Sequence, residues 1–152
     1  MATYNDGKGY NFGTAAAHVA AGINKVSSVT VKLDFAAITT ARSDAGLTAL
    51  AATDVLEVIR VPANTLVTHV ALNVTTAEGG TLTIDVGDGD DPDGFLDGVN
   101  ANTTAAYITD AGGAAALAHG KFYTAADTID VTTVNAADTA VMELTVVMVD
   151  CS

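Results

Sequence analysis

The sequence predicts an all-β protein, an antiparallel β-sandwich or jelly roll of about eight strands with an extended N-terminal arm. Short runs alternate apolar and polar residues with period 2, turn residues recur about every ten positions, and no stretch sustains a helical apolar stripe. At 152 residues the chain is one domain of ordinary size, expected to divide into an arm over residues 1–26 and a single sandwich over residues 27–152. Apolar residues make up 49% of it and β-branched residues are common, so burial can offset the entropy lost in ordering the chain.

Residues 1–22 are rich in Gly and Ala, with Tyr4, Tyr10 and Phe12 scattered among small side chains and neither period sustained. Isolated rings on such a segment gain by burying against a surface, so these three are the expected contacts with a neighbouring subunit or partner. A frayed terminus with incidental rings is the plainer alternative. The first strand is expected over residues 27–34, where Val29, Val31 and Leu33 alternate with Thr30 and Lys32. Residues 35–52, dominated by Ala and Thr, read as a loop, with a short helix over residues 45–52 or a second strand as alternatives.

Asp54 opens a strand over residues 55–61, with Val55, Glu57, Ile59 and Val61 on one face and Leu56, Val58 and Arg60 on the other. Pro62 stops it and residues 62–65 form a turn. Residues 66–75 follow as a strand with Val70, Leu72 and Val74 inward and His69 toward solvent. Glu78-Gly79-Gly80 then suggests a hairpin joining residues 70–74 to 81–86, with Leu82, Ile84 and Val86 inward. Shorter strands are expected at residues 95–96, 105–108 and 121–123, with Gly112-Gly113 in a connection. Residues 128–134 and 140–149 finish the set. The last strand is apolar on both sides, Met142, Leu144, Val146 and Met148 against Val141, Val147 and Val149, so it is expected in mid-sheet and covered on both faces. Thr-Ile-Asp-Val occurs at residues 83–86 and 128–131, which reads as coincidence in a narrow alphabet because no repeat period surrounds it.

Between two of these strands, residues 85–97 read DVGDGDDPDGFLD and hold six aspartates and three glycines. Charges this dense repel one another and resist unpaired burial, so the segment is expected to be a solvated surface loop. The whole chain carries 18 acids against six bases, a formal charge of −12. Its field repels phosphate backbones and anionic lipid, so neither nucleic acid nor a membrane is an expected partner. The opening MATYNDGKGYNF lacks the order of a signal peptide, and Cys151, the single cysteine, has no neighbouring base to activate it.

The loop fails the specific test for calcium. An EF-hand needs acids at positions 1, 3 and 5 and a Glu at 12, yet counting from Asp88 the fifth residue is Pro92 and no Glu follows at the right distance. His18, His69 and His119 show no zinc spacing, and Glu57, Glu78 and Glu143 lie in no active-site motif. There is no nucleophile elbow, phosphate loop or dinucleotide fingerprint. No catalytic residue, metal site or cofactor is therefore assigned, and a non-enzymatic protein is expected.

Several phrases carry a resemblance: IRVPANT at residues 59–65, GGTLTIDVGDG at 79–89, DPDGFLDG at 91–98, FYTAADTIDV at 122–131 and VVMVDC at 146–151. Over residues 59–151 the chain resembles small virion structural proteins of tailed bacteriophages, most of all head decoration (capsid cement) proteins. That resemblance implies a β-sandwich, made in the host cytoplasm, that binds the outer surface of an icosahedral head, as a homotrimer, and strengthens contacts between major capsid protein subunits. Two rivals follow: a tail, neck or fibre component, and a secreted calcium-dependent carbohydrate-binding β-sandwich. The lack of Trp counts against the second, since sugar sites are commonly built on aromatic platforms.

Overall fold

Alternating side chains become two sheets in the computed structural model, which describes residues 3–4, 25–109 and 115–152. The strands are β1 (Thr3–Tyr4), β2 (Val26–Asp34), β3 (Asp54–Val61), β4 (Thr65–Thr76), β5 (Thr83–Gly87) and β6 (Leu96–Asn100), followed by β7 (Ala105–Ile108), β8 (Lys121–Tyr123), β9 (Asp127–Thr133) and β10 (Val141–Asp150). A single helix, α1 (Phe35–Asp44), is present among the described residues. The first sheet has the order β1-β3-β9-β5-β6 and the second β2-β10-β4-β7, with β8 also paired to β4. Among the described residues every strand pairing is antiparallel except that of β1 with β3. The all-β sandwich expected from the sequence is the observed fold.

One apolar core lies between the sheets. Val29, Val31 and Leu33 of β2, Val70, Leu72 and Val74 of β4, and Leu82, Ile84 and Val86 around β5 all point into it, as their alternation requires. β10 lies in mid-sheet between β2 and β4, and Met142, Leu144, Val146 and Met148 are buried. Its other side is only half-buried, so it is covered on one face and not on both. β9 shows the opposite departure: Ile129, Val131 and Thr133 face the core, while Asp130 and Thr132 on the outer side are also buried.

Three local expectations are corrected. Residues 35–44 form a helix, not a loop. Asp34 is extended (φ −111°), and its carboxylate accepts the Ala37 amide at 3.1 Å, an N-cap that satisfies one orphan donor of the first turn. Phe35 and Ile38, three apart, bury the same face, and Arg42 closes the following loop by donating twice to Thr48 O. The proposed hairpin over residues 70–86 is not one, since β4 and β5 belong to different sheets. In β3 a bulge between Glu57 and Ile59 shifts the alternation by one residue, so Leu56, Ile59 and Val61 share the core.

The two Thr-Ile-Asp-Val copies are neighbours in space. β5 and β9 pair antiparallel with Val86 opposite Val131. The turn over residues 62–65 does form; it carries the chain from the first sheet to the second with Asn64 at φ 57°, a conformation Asn tolerates. Of the expected arm the structure describes β1, Lys25 and Val26, and β2 begins at Val26, one residue ahead of the expected Ser27.

Candidate functional site

The aspartate loop is assembled around one buried carboxylate. At Gly87 the chain turns so tightly that a Cβ would overlap the Asp91 carbonyl and the Pro92 backbone, which restricts the position to glycine. The next residue, Asp88, has a side chain with no solvent exposure. Its Oδ1 accepts the amides of Asp90 and Asp91, each at 3.0 Å. Its Oδ2 accepts Lys121 Nζ and Tyr123 Oη, both at 2.6 Å. Lys121 Nζ lies a further 3.6 Å from Asp90 Oδ2 and 4.9 Å above the Tyr123 ring. Farther along, Gly94 O accepts the Leu117 amide at 2.6 Å, and Phe95 and Leu96 are buried. The expectation of a wholly solvated loop is therefore corrected: Asp90 is exposed, but Asp88 is interior because four donors replace its water.

The charges in this cluster stabilise one another. Burial pushes the Asp88 carboxyl up, but the hydrogen bonds from Lys121, Tyr123 and the two amides outweigh it and hold it below its usual range. Burial likewise pulls the Lys121 ammonium down, and Asp88 with Asp90 more than reverses this. Burial and the adjacent Asp88 push the Tyr123 phenol far up, so it stays a donor. The cluster bridges the sheets, since Lys121 and Tyr123 belong to β8 while Asp88 follows β5.

Oxygens of Asp88, Asp90 and Asp127 all lie within 4.8 Å of one another, close enough in principle to share a cation. The donor set does not fit one. Both Asp88 oxygens are already fully engaged, and the Lys121 ammonium supplies the positive charge between Asp88 and Asp90. Calcium would need about six to eight oxygen ligands here and would have to expel that ammonium.

On the outer side of the first sheet, Glu57 of β3 stands directly opposite Asp130 of β9. Asp130 is only 5% exposed and its Oδ1 has no hydrogen-bond partner. Burial first, then Glu57, Asp127 and Asp88, push its carboxyl up to about 6. Asp85, on β5, is also pushed up by burial. Elsewhere Glu78 accepts the amides of Asp138, Thr139 and Ala140. That carboxylate therefore serves to join two loops. His69 and His119 are exposed, as is Cys151.

Of the three aromatic residues expected at an interface, Tyr4 lies in β1, whose backbone pairs with Val55 and Leu56. Tyr10 and Phe12 lie outside the described residues, as do His18 and Gly112-Gly113. The sequence reading missed Lys121 and Tyr123 as partners of the loop. They stand 33 and 35 residues beyond Asp88, so no local spacing announces them.

No protein-family model matches the chain, and no curated protein matches it in sequence. Solved structures do match. A chain in the capsid of Ralstonia phage GP4 is 16% identical and superposes with a TM-score of 0.62, covering 99% of each chain. A chain in the acidic stable capsid structure of Helicobacter pylori bacteriophage KHP30 is 15% identical with a TM-score of 0.56, over 86% of this chain and 90% of that one. A chain of the cyanophage Pam1 capsid asymmetric unit is 16% identical with a TM-score of 0.50, over 90% and 96%. The likeness is one of fold, and it extends over nearly the whole molecule.

Proposed function

We propose that this chain is a structural protein of a bacteriophage capsid, and within that class a decoration or cement protein. It would bind the outer surface of the head and strengthen the seams between major capsid protein subunits, as a homotrimer. The observation that carries the capsid role is the end-to-end match of its fold to a chain in the Ralstonia phage GP4 capsid, covering 99% of both. Physical chemistry supports the same role. A rigid sandwich that bridges two shell subunits gains buried area only when both are in place, and so stabilises the assembled state by mass action. A charge of −12 suits the exterior and would be repelled by packaged DNA. The clustered carboxylates support no catalytic role, because Asp88 is satisfied by donors within the fold and Glu78 by loop amides. Tyr4, Tyr10 and Phe12 remain the proposed contacts of the N-terminal arm.

Mass spectrometry of purified heads, with copy number measured against the major capsid protein, tests the proposal. A near-stoichiometric ratio is expected. A few copies per particle would move the chain to the neck or tail, and absence from the particle would overturn the capsid role.

A further inference from the structure

We infer that the outer face of the second sheet, at the end where β2, β10, β4 and β8 come together, docks on a neutral or cationic shell subunit that presents an apolar surface. Register builds this face. Val26 of β2 pairs with Val149 of β10, Val149 with Leu66 of β4, and Leu66 with Phe122 of β8. Directly paired residues share a side of a sheet, so these four form one apolar row across four strands, about 14 Å long at the usual strand spacing. The row is open to solvent: Val26 is 69% exposed and Phe122 49%. The next two outward rows, Ser28–Val147–His69 and Thr30–Thr145–Ala71, the last with Ala71 buried, contain no carboxylate. In a chain with 18 acids, three successive acid-free rows leave one face on which close approach is not opposed by buried negative charge.

Charge and area select the occupant. A second copy brings its own −12, which a patch this small does not offset, so the homotrimer proposed above would be held by other surfaces. The patch measures only about 200 Å², roughly 14 by 14 Å by strand spacing, well under the ~800 Å² per partner of a stable free dimer. A neutral or basic shell that touches the chain at other points as well has neither handicap, because each further contact raises the effective concentration of this one. The inference rests on the proposed capsid role and adds to it the surface that faces the shell.

The test is cosedimentation of the full chain with shells assembled from the major capsid protein of the phage that encodes it. Wild type is compared with Val26→Asp/Phe122→Asp, with the uncharged pair Val26→Ser/Phe122→Ser, and with Thr81→Asp/Ala136→Asp, which adds the same charge at exposed loop positions. Sedimentation velocity of each free protein is run alongside. The inference expects at least about a tenfold loss of binding for both variants of the row, at unchanged melting temperature and unchanged free mass, with the loop variant binding as wild type. Binding by the row variants equal to wild type overturns the surface and leaves the capsid role standing. An equal loss in the loop variant also overturns it, since net charge would then be the cause. If the free wild type is an oligomer that the row variants split, the occupant is a second copy and the inference fails. If wild type does not sediment with shells, the capsid role fails and this inference with it.

Discussion

On the outer side of the first sheet Glu57 faces Asp130 across two strands, with Asp85 nearby on β5, whereas the outer side of the second sheet presents Val26, Val149, Leu66 and Phe122 in one row. Both sheets turn the same kind of side chain inward, since Val, Leu, Ile and Met fill the shared core. The outer faces differ because core burial constrains only every second residue of a strand and leaves the alternate positions free. Each free set carries a cost, to stability on the first sheet and to solubility on the second. On the first sheet it is a buried carboxylate with an unpartnered oxygen, and on the second it is exposed apolar area. The first cost varies with pH. The second is relieved only when something covers the face.

Substitutions can break this contrast or sharpen it. The largest effect is expected where the two sheets are tied together: Asp88→Ala leaves Lys121 and Tyr123 without their acceptor and should lower the urea-derived unfolding free energy by about 4 kcal/mol. Gly87→Ala should cost up to about 3 kcal/mol in the same measurement, because its methyl meets backbone that cannot yield.

Asp130→Asn sharpens the contrast on the acidic side. The folded value of about 6 lies above the ordinary 3.8, so Asp130 contributes stability that is fully present below 3.8 and lost as pH rises through about 6. Asp88 and Glu78 are shifted downward and act in the opposite sense: their contribution is present above their ordinary values and lost as pH falls. Removing Asp130 should therefore flatten the pH profile between its two values and stabilise the protein at pH 8 by on the order of 2 kcal/mol, read from paired unfolding curves. A wild-type profile with no such component would break the acidic half of the comparison. The smallest effect is expected on the apolar row. Val26→Asp should change unfolding free energy by less than about 0.5 kcal/mol, because that side chain is already in water. A larger loss would mean that the row supports the fold itself.

Much of the fold was legible locally. Most strand positions, the turn over residues 62–65 and the inward residues of β2, of β4 and around β5 followed from alternation and from Pro62. The helix was legible too, and missed: Asp34 is an N-cap residue, and Phe35 with Ile38 has the i, i+3 spacing of a buried helical face. The Ala- and Thr-rich composition obscured that signal. The false hairpin over residues 70–86 arose because Glu78-Gly79-Gly80 turns the chain equally well within a sheet or from one sheet to the other. The candidate site was half legible. Its loop was evident from six aspartates, but the one that is buried was not, since its partners sit on β8.

What the amino-acid order determined by itself is most of the strands, the inward faces of β2 and β4 and the negative charge, because periodicity and composition are properties of neighbouring residues. Tertiary structure alone decided which strands pair, that Asp88 is interior while Asp90 is exposed, and that four separate apolar residues form one row. Those outcomes depend on register between segments far apart in the chain. Register is decided by the joint free energy of burial and hydrogen bonding across the whole sandwich, which no local window contains.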